Sequence, residues 1–178
     1  MVRFLAAFSV IFLAWTTGAA AAENIPLKSF FGKFRGSAVA ETAAKKKLDF
    51  ALRDLDVTIS PKGDGFEISW ISHQRPIPGS GSKVTKRENT IAFLAPNENG
   101  IYKPEQQGDP FMGGNMAWSR IENRTLFTHV LTIGERGAYE LQSYARTLTP
   151  DGDMKLLFTR YRDNERVRQV SGTLKRYQ

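Results

Sequence analysis

Leu55-Asp56-Val57-Thr58-Ile59-Ser60, Pro61-Lys62-Gly63-Asp64-Gly65 and Phe66-Glu67-Ile68-Ser69-Trp70 are the consecutive stretches on which the fold turns. Apolar side chains occupy every second position on either side of a Pro/Gly/Asp turn. Successive strand residues point to opposite faces, so the pattern predicts two antiparallel strands with one buried face. N-terminal to it, Leu48, Phe50 and Leu52 alternate in the opposite phase. That one-residue shift predicts a β-bulge near Arg53-Asp54. C-terminal to it the pattern repeats. Ile91 and Phe93 end one segment, and Met116 and Trp118 precede a Glu122-Asn123-Arg124 turn. Leu126, Thr128 and Val130 follow, then Tyr139, Leu141, Ser143 and Ala145 after a Gly134–Gly137 turn. Met154, Leu156 and Phe158 lie between the Thr149–Asp153 and Asp163–Glu165 turns, and Arg166 to Tyr177 is the last run. Roughly nine or ten such segments with short turns predict an antiparallel all-β meander, either barrel or sandwich. Glu41 to Lys47 lacks an apolar stripe and reads as a charged strand end or a single helical turn.

Two connections are longer, Gln74 to Ser82 and Pro96 to Asn115. The second holds Tyr102, Phe111 and Met112, and a long loop in a compact domain is often a lid or portal. The other reading is a surface excursion pinned by Tyr102 and Phe111.

The N-terminus carries a different signal. Arg3 precedes an apolar run from Phe4 to Trp15, and small residues lead to Ala20-Ala21-Ala22 before Glu23. These are the parts of a secretory signal peptide, and the run is shorter than the roughly 20 residues a spanning helix needs. Cleavage is expected after Ala22, with Ala20 as second choice. Residues 23–178 then form one domain of 156 residues, with 24 Lys+Arg against 18 Asp+Glu. The chain has no Cys, which removes disulfides and thiol chemistry and favours a bacterial periplasm.

Little in the sequence points to catalysis. His73 and His129 are the two histidines, and neither has a partner at ligand spacing, so no metal and no cofactor are expected. Asp54/Asp56 and Asp151/Asp153 could serve a hydrolase as acid and base. The turn and polar-face positions of these residues account for them more simply. No nucleophile elbow, phosphate loop or zinc helix motif occurs. The C-terminal third interleaves Arg146, Arg160, Arg162, Arg166, Arg168 and Arg176 with tyrosines. That pattern is expected on a solvated outer face, with an anion site as the alternative. Export argues against nucleic acid as the partner. Thr128, Thr132, Ser143, Thr147, Gln169, Ser171 and Thr173 interrupt the strands and would suit a cavity with a ligand or water inside.

Phe31-Gly32-Lys33-Phe34-Arg35-Gly36-Ser37-Ala38 resembles the Gly-x-Trp opening of calycins, the superfamily of lipocalins and fatty-acid-binding proteins. It is closer still to the Gly-x-Trp-x-Gly-x-Gly opening of nitrobindin-like barrels. The resemblance implies that Gly32, Phe34 and Gly36 build the barrel floor, with Lys175 or Arg176 packed across the aromatic ring. Phe34 stands where the family has Trp, and Ala38 where it has the last Gly. The family's haem-binding His near the last strand has no counterpart in Arg166–Leu174, so haem ligation is not implied.

The expected fold is therefore an all-β, antiparallel up-and-down barrel of calycin, lipocalin-like type. The expected function is non-enzymatic: a periplasmic protein holding a small apolar or amphipathic molecule. Trp70, Phe93, Trp118, Tyr139, Leu141 and Phe158 would form the wall, with Tyr102, Phe111 and Met112 as the lid. The alternative is an envelope structural or interaction protein with a basic outer face for anionic lipid or cell-wall polymer.

Overall fold

The computed structural model describes residues 23–44, 47–75 and 85–177. The N-terminal segment read as a signal peptide and most of the Gln74–Ser82 connection lie outside them. Ten antiparallel strands follow one another around a closed barrel. They are β1 (Gly32–Ala44), β2 (Lys47–Lys62), β3 (Gly65–Gln74), β4 (Thr85–Pro96), β5 (Ile101–Pro104), β6 (Asn115–Glu122), β7 (Thr125–Ile133), β8 (Tyr139–Leu148), β9 (Met154–Arg162) and β10 (Glu165–Tyr177). Each pairs with its sequence neighbours, and β10 returns to β1, with Lys33 opposite Tyr177 and Thr42 opposite Arg168. Closure pairs both edges of the sheet with each other, although four-residue β5 leaves much of β4 and β6 without a partner on that side.

The turns have local causes. Asp163 and Asn164 both take positive φ, the conformation that a two-residue type I′ hairpin requires. Pro96 to Asn115 is not one long loop. It contains β5, whose Tyr102 is buried, and a short 3₁₀ turn, Pro110–Met112, capped by the Asp109 carboxylate. Sequence alternation misses β5 because four residues cannot establish a period of two.

No bulge occurs at Arg53-Asp54, since β2 holds an unbroken register with both β1 and β3. The apolar residues change face instead. Leu55, Val57 and Ile59 point inward and are buried, whereas Phe50 and Leu52 point outward, 58% and 49% exposed. Arg53 takes the inward position that precedes Leu55. Alternation reports that side chains share a face, not that the face is inside. The register does shift in β10, between Arg166 and Arg168.

One half of the barrel is solid. Phe34, Ile59, Phe66, Ile68, Phe93, Leu126, Met154 and Leu174 fill it and are almost wholly buried. Phe66 stacks on Phe93 at 4.8 Å, and Tyr102 meets Phe66 edge-on at 5.3 Å. Phe30, on a 3₁₀ turn at Leu27–Phe30, plugs the end. The Arg176 guanidinium lies 4.6 Å from the Phe34 ring centroid. It donates to the carbonyls of Ser29, Phe31 and Gly152, tying the N-terminal plug to the last strand and the β8–β9 turn. Lys175 is in the opposite phase and pairs with Asp153 at 2.6 Å.

Small residues let β1 and β10 approach. Gly172 sits opposite Ala38, and a Cβ at Gly172 would lie 2.7 Å from the Ala38 Cβ and against the Ser37 carbonyl. Gly172→Ala is expected to cost about 1–3 kcal/mol by overpacking. The readout is a lower denaturation midpoint at unchanged slope. An unchanged midpoint would show that the two strands are not in such close contact.

Candidate functional site

Toward the other end the inward side chains stop meeting. A cavity of about 350 Å³ opens there, within the range of small-molecule sites. Its apolar wall comes from Leu55, Val57, Leu156 and Val170 with Trp70, Tyr144 and Phe158. The three rings form a continuous run: Trp70 to Tyr144 at 5.1 Å, and Tyr144 to Phe158 at 4.7 Å. A second crevice, of about 360 Å³, lies where four-residue β5 leaves parts of β4 and β6 unbridged.

The rest of the cavity wall is polar, with Ser72, Glu88, Asn89 and Gln142, and dominated by cations. Arg53, Arg87, Arg146, Arg160 and Arg168 all line it. Strand register explains how. Arg146 pairs with Leu126 and Leu156, and Arg168 with Arg160 and Thr42. Arg53 pairs with Gln74, and Arg87 with Ser72. Each arginine thus shares the inward phase of its strand's core residues.

These guanidiniums are sparsely satisfied. Arg146 is 1% exposed, lies against the Tyr144 and Trp70 rings at 4.8 and 5.3 Å, and donates to Thr128 Oγ1 at 3.2 Å. Arg53, 6% exposed, donates to Ser72 Oγ at 3.1 Å and Gln74 Oε1 at 2.8 Å. The buried Nε atoms of Arg53, Arg146 and Arg168 have no hydrogen-bond partner among the described residues, and that of Arg160 has only its ion-pair contact with Glu140. Buried donors without partners are costly, and charged ones more so.

The electrostatics agree. Burial, then the charges of Arg53, Arg160 and Arg87, lowers the Arg168 guanidinium to about 10. Burial also brings Arg146 to about 10. Arg53 is lowered by burial and then by Arg87 and Arg160. At about 10, Arg146 and Arg168 remain cations at neutral pH, and Arg168 and Arg53 are each repelled by Arg87 and Arg160. Glu140 is the carboxylate nearest to them by contact, and it already serves Arg160 at 3.3 Å and Arg162 at 3.0 Å. Glu88, at the mouth, pairs with Lys86 at 2.9 Å.

Of the residues expected to form a wall, Trp70 and Phe158 line this cavity together. Phe93 and Tyr102 belong to the solid half. Trp118 lies on the outer face, because Ala117 and Ser119 take the inward phase of β6; its ring stacks on His129 at 4.9 Å. Tyr139 and Leu141 also face outward, since Gln142 and Tyr144 hold the inward phase of β8. Phe111 and Met112 stand 82% and 83% exposed on a turn beside β7, where they cover nothing.

Other expectations are redrawn by the same phase rule. Arg146, Arg160 and Arg168 face inward, so they do not form a basic outer face. Thr128 and Thr132 point inward, whereas Ser143, Thr147, Gln169, Ser171 and Thr173 point outward. Asp54 and Asp56 are on the outer face, paired with Arg75 and Arg35. His129 is also outside, bonded to Ser143 Oγ at 2.7 Å, and burial holds its pKa below the usual histidine range.

No family model matches the chain, and no curated protein matches it. Among solved structures it is similar to a protein of unknown function from the DUF3598 family of Nostoc punctiforme PCC 73102. That match has a TM-score of 0.57 and 16% identity, and covers 90% of this chain and 53% of that one. The chain thus spans about half the length of the Nostoc protein. It is also similar to an S-type phycobiliprotein lyase from Guillardia theta, with a TM-score of 0.52, 10% identity, and coverage of 85% and 90%. At these identities the likeness concerns the fold.

Exchanging a poorly satisfied buried cation for an apolar chain of similar size often stabilises a protein by about 1–4 kcal/mol. Arg146→Met is therefore expected to raise the thermal midpoint of the ligand-free barrel, read by circular dichroism. A fall would mean that the Thr128 bond and the two ring contacts outweigh the cost of burying the charge.

Proposed function

We propose that this chain is an exported, non-enzymatic binding protein of calycin type. It takes a small, partly apolar molecule into the cationic cavity of its barrel. The observation that carries this reading is the division of the interior into a solid floor and a hollow half. A barrel whose purpose was structural would fill both, because empty volume forfeits packing energy. Likeness to other barrels supports the fold on which the reading rests. One of those proteins is named a lyase. A non-enzymatic role is favoured here because the carboxylates at the cavity are already engaged: Glu88 at the mouth pairs with Lys86, and Glu140, beyond Gln142, is tied to Arg160 and Arg162. The periplasm follows from the N-terminal segment, with Glu23 as the mature first residue.

The two tryptophans beyond the signal segment make the test direct. Trp70 lines the cavity and Trp118 lies outside it. The full chain is expressed in a bacterium, recovered from the periplasm and titrated with anilinonaphthalene sulfonate, a small amphipathic dye. Its mass is expected to begin at Glu23. Saturable quenching is expected to persist in Trp118→Phe and to disappear in Trp70→Phe. Quenching that follows Trp118, or no saturable binding, would overturn the assignment of the cavity.

A further inference from the structure

We propose that the cavity selects a ligand bearing at least two negative charges on a flat apolar body, a deepening of the binding-module reading on which it rests. Arg53, Arg87, Arg160 and Arg168 lie on neighbouring or facing strands near the mouth, with Gln142 and Ser72 at the same level. They form a belt. The Trp70, Tyr144 and Phe158 rings lie one step deeper, and Arg146 one step below Tyr144. A bound molecule would place its anionic oxygens in the belt and its flat part against the rings.

The charge count sets the number of charges. Five arginines and Glu88 line the cavity; Glu88 is paired with Lys86, and Glu140 offsets part of Arg160 while also holding Arg162. A single carboxylate offers two oxygens, enough for one guanidinium fork, and would leave the rest of the belt repelling itself. A phosphate monoester carries nearly two charges and three acceptor oxygens at neutral pH. Two carboxylates on one ring system offer the same charge with four oxygens. Both share the chemistry that the belt lacks: several anionic acceptors in one place, within reach of the Arg53 and Arg168 Nε donors, which have none.

The test uses one ring system with different charges. 1-Naphthol, 1-naphthoate, 1-naphthyl phosphate and naphthalene-2,3-dicarboxylate are titrated into the protein at pH 8 by calorimetry. At least one dianion is expected to bind at least tenfold tighter than naphthoate, and naphthoate tighter than naphthol. Whichever dianion is preferred identifies phosphate or paired carboxylates as the recognised group. In Arg168→Gln the preference over naphthol is expected to shrink at least tenfold. Arg87→Gln, with an exposed side chain at the mouth, is expected to shrink it severalfold in a barrel whose thermal midpoint is unchanged. If all four compounds bind alike, or naphthoate matches both dianions, this inference is wrong while the binding module stands. If none of them binds and the dye leaves Trp70 unquenched, the binding module itself is wrong.

Discussion

Arg176 holds the closed end of this barrel together. Its guanidinium covers Phe34 and reaches the carbonyls of Ser29, Phe31 and Gly152. Through those contacts the last strand fixes the N-terminal plug, and Phe30 seals the floor. The β1–β10 seam, drawn close by Gly36 and Gly172, completes the ring of hydrogen bonds. Most of the buried apolar residues, whose removal from water drives folding, lie in this half. Because the floor carries the stability, the other half can remain hollow.

The hollow half has features that folding alone would not favour. Buried cations crowd one another there, and the Nε donors of Arg53, Arg146 and Arg168 lack partners among the described residues. Local conflict of this kind is expected where a protein is shaped for something other than stability. The aromatic run supplies a surface on which a flat group can rest, and the arginines supply directional donors above it. The two are juxtaposed by register: an arginine on β9 and one on β10 face each other one step from Phe158 and Val170.

Much of this was legible in the chain. Period-two patterning and short Gly/Asp/Asn turns read as an antiparallel meander, and the structure is a closed barrel of ten strands. Trp70 and Phe158 were readable as wall because they share a phase with neighbours that are plainly core. The arginines were misread through an assumption about residue type. Arg53 is in phase with Leu55, Val57 and Ile59, Arg146 with Leu148, Arg160 with Leu156 and Phe158, and Arg168 with Val170 and Leu174. Taken strictly, that periodicity points all of them inward. Lysine and arginine are seldom buried, and residue type alone therefore points them to the outer face.

By itself, then, the amino-acid order determined the class of fold, the strand count to within one and the turns, because these rest on local alternation and on turn chemistry. Only the tertiary structure decided which face of each strand is interior, that Phe50 and Leu52 lie outside while Arg53 lies inside, and that Trp118 is remote from the cavity. It alone gathered arginines from β2, β4, β8, β9 and β10 around one space. The physical reason is that a pleat has two equivalent sides until the sheet closes. Closure makes one of them the inside, and the register around the ring then sets which distant residues share a level.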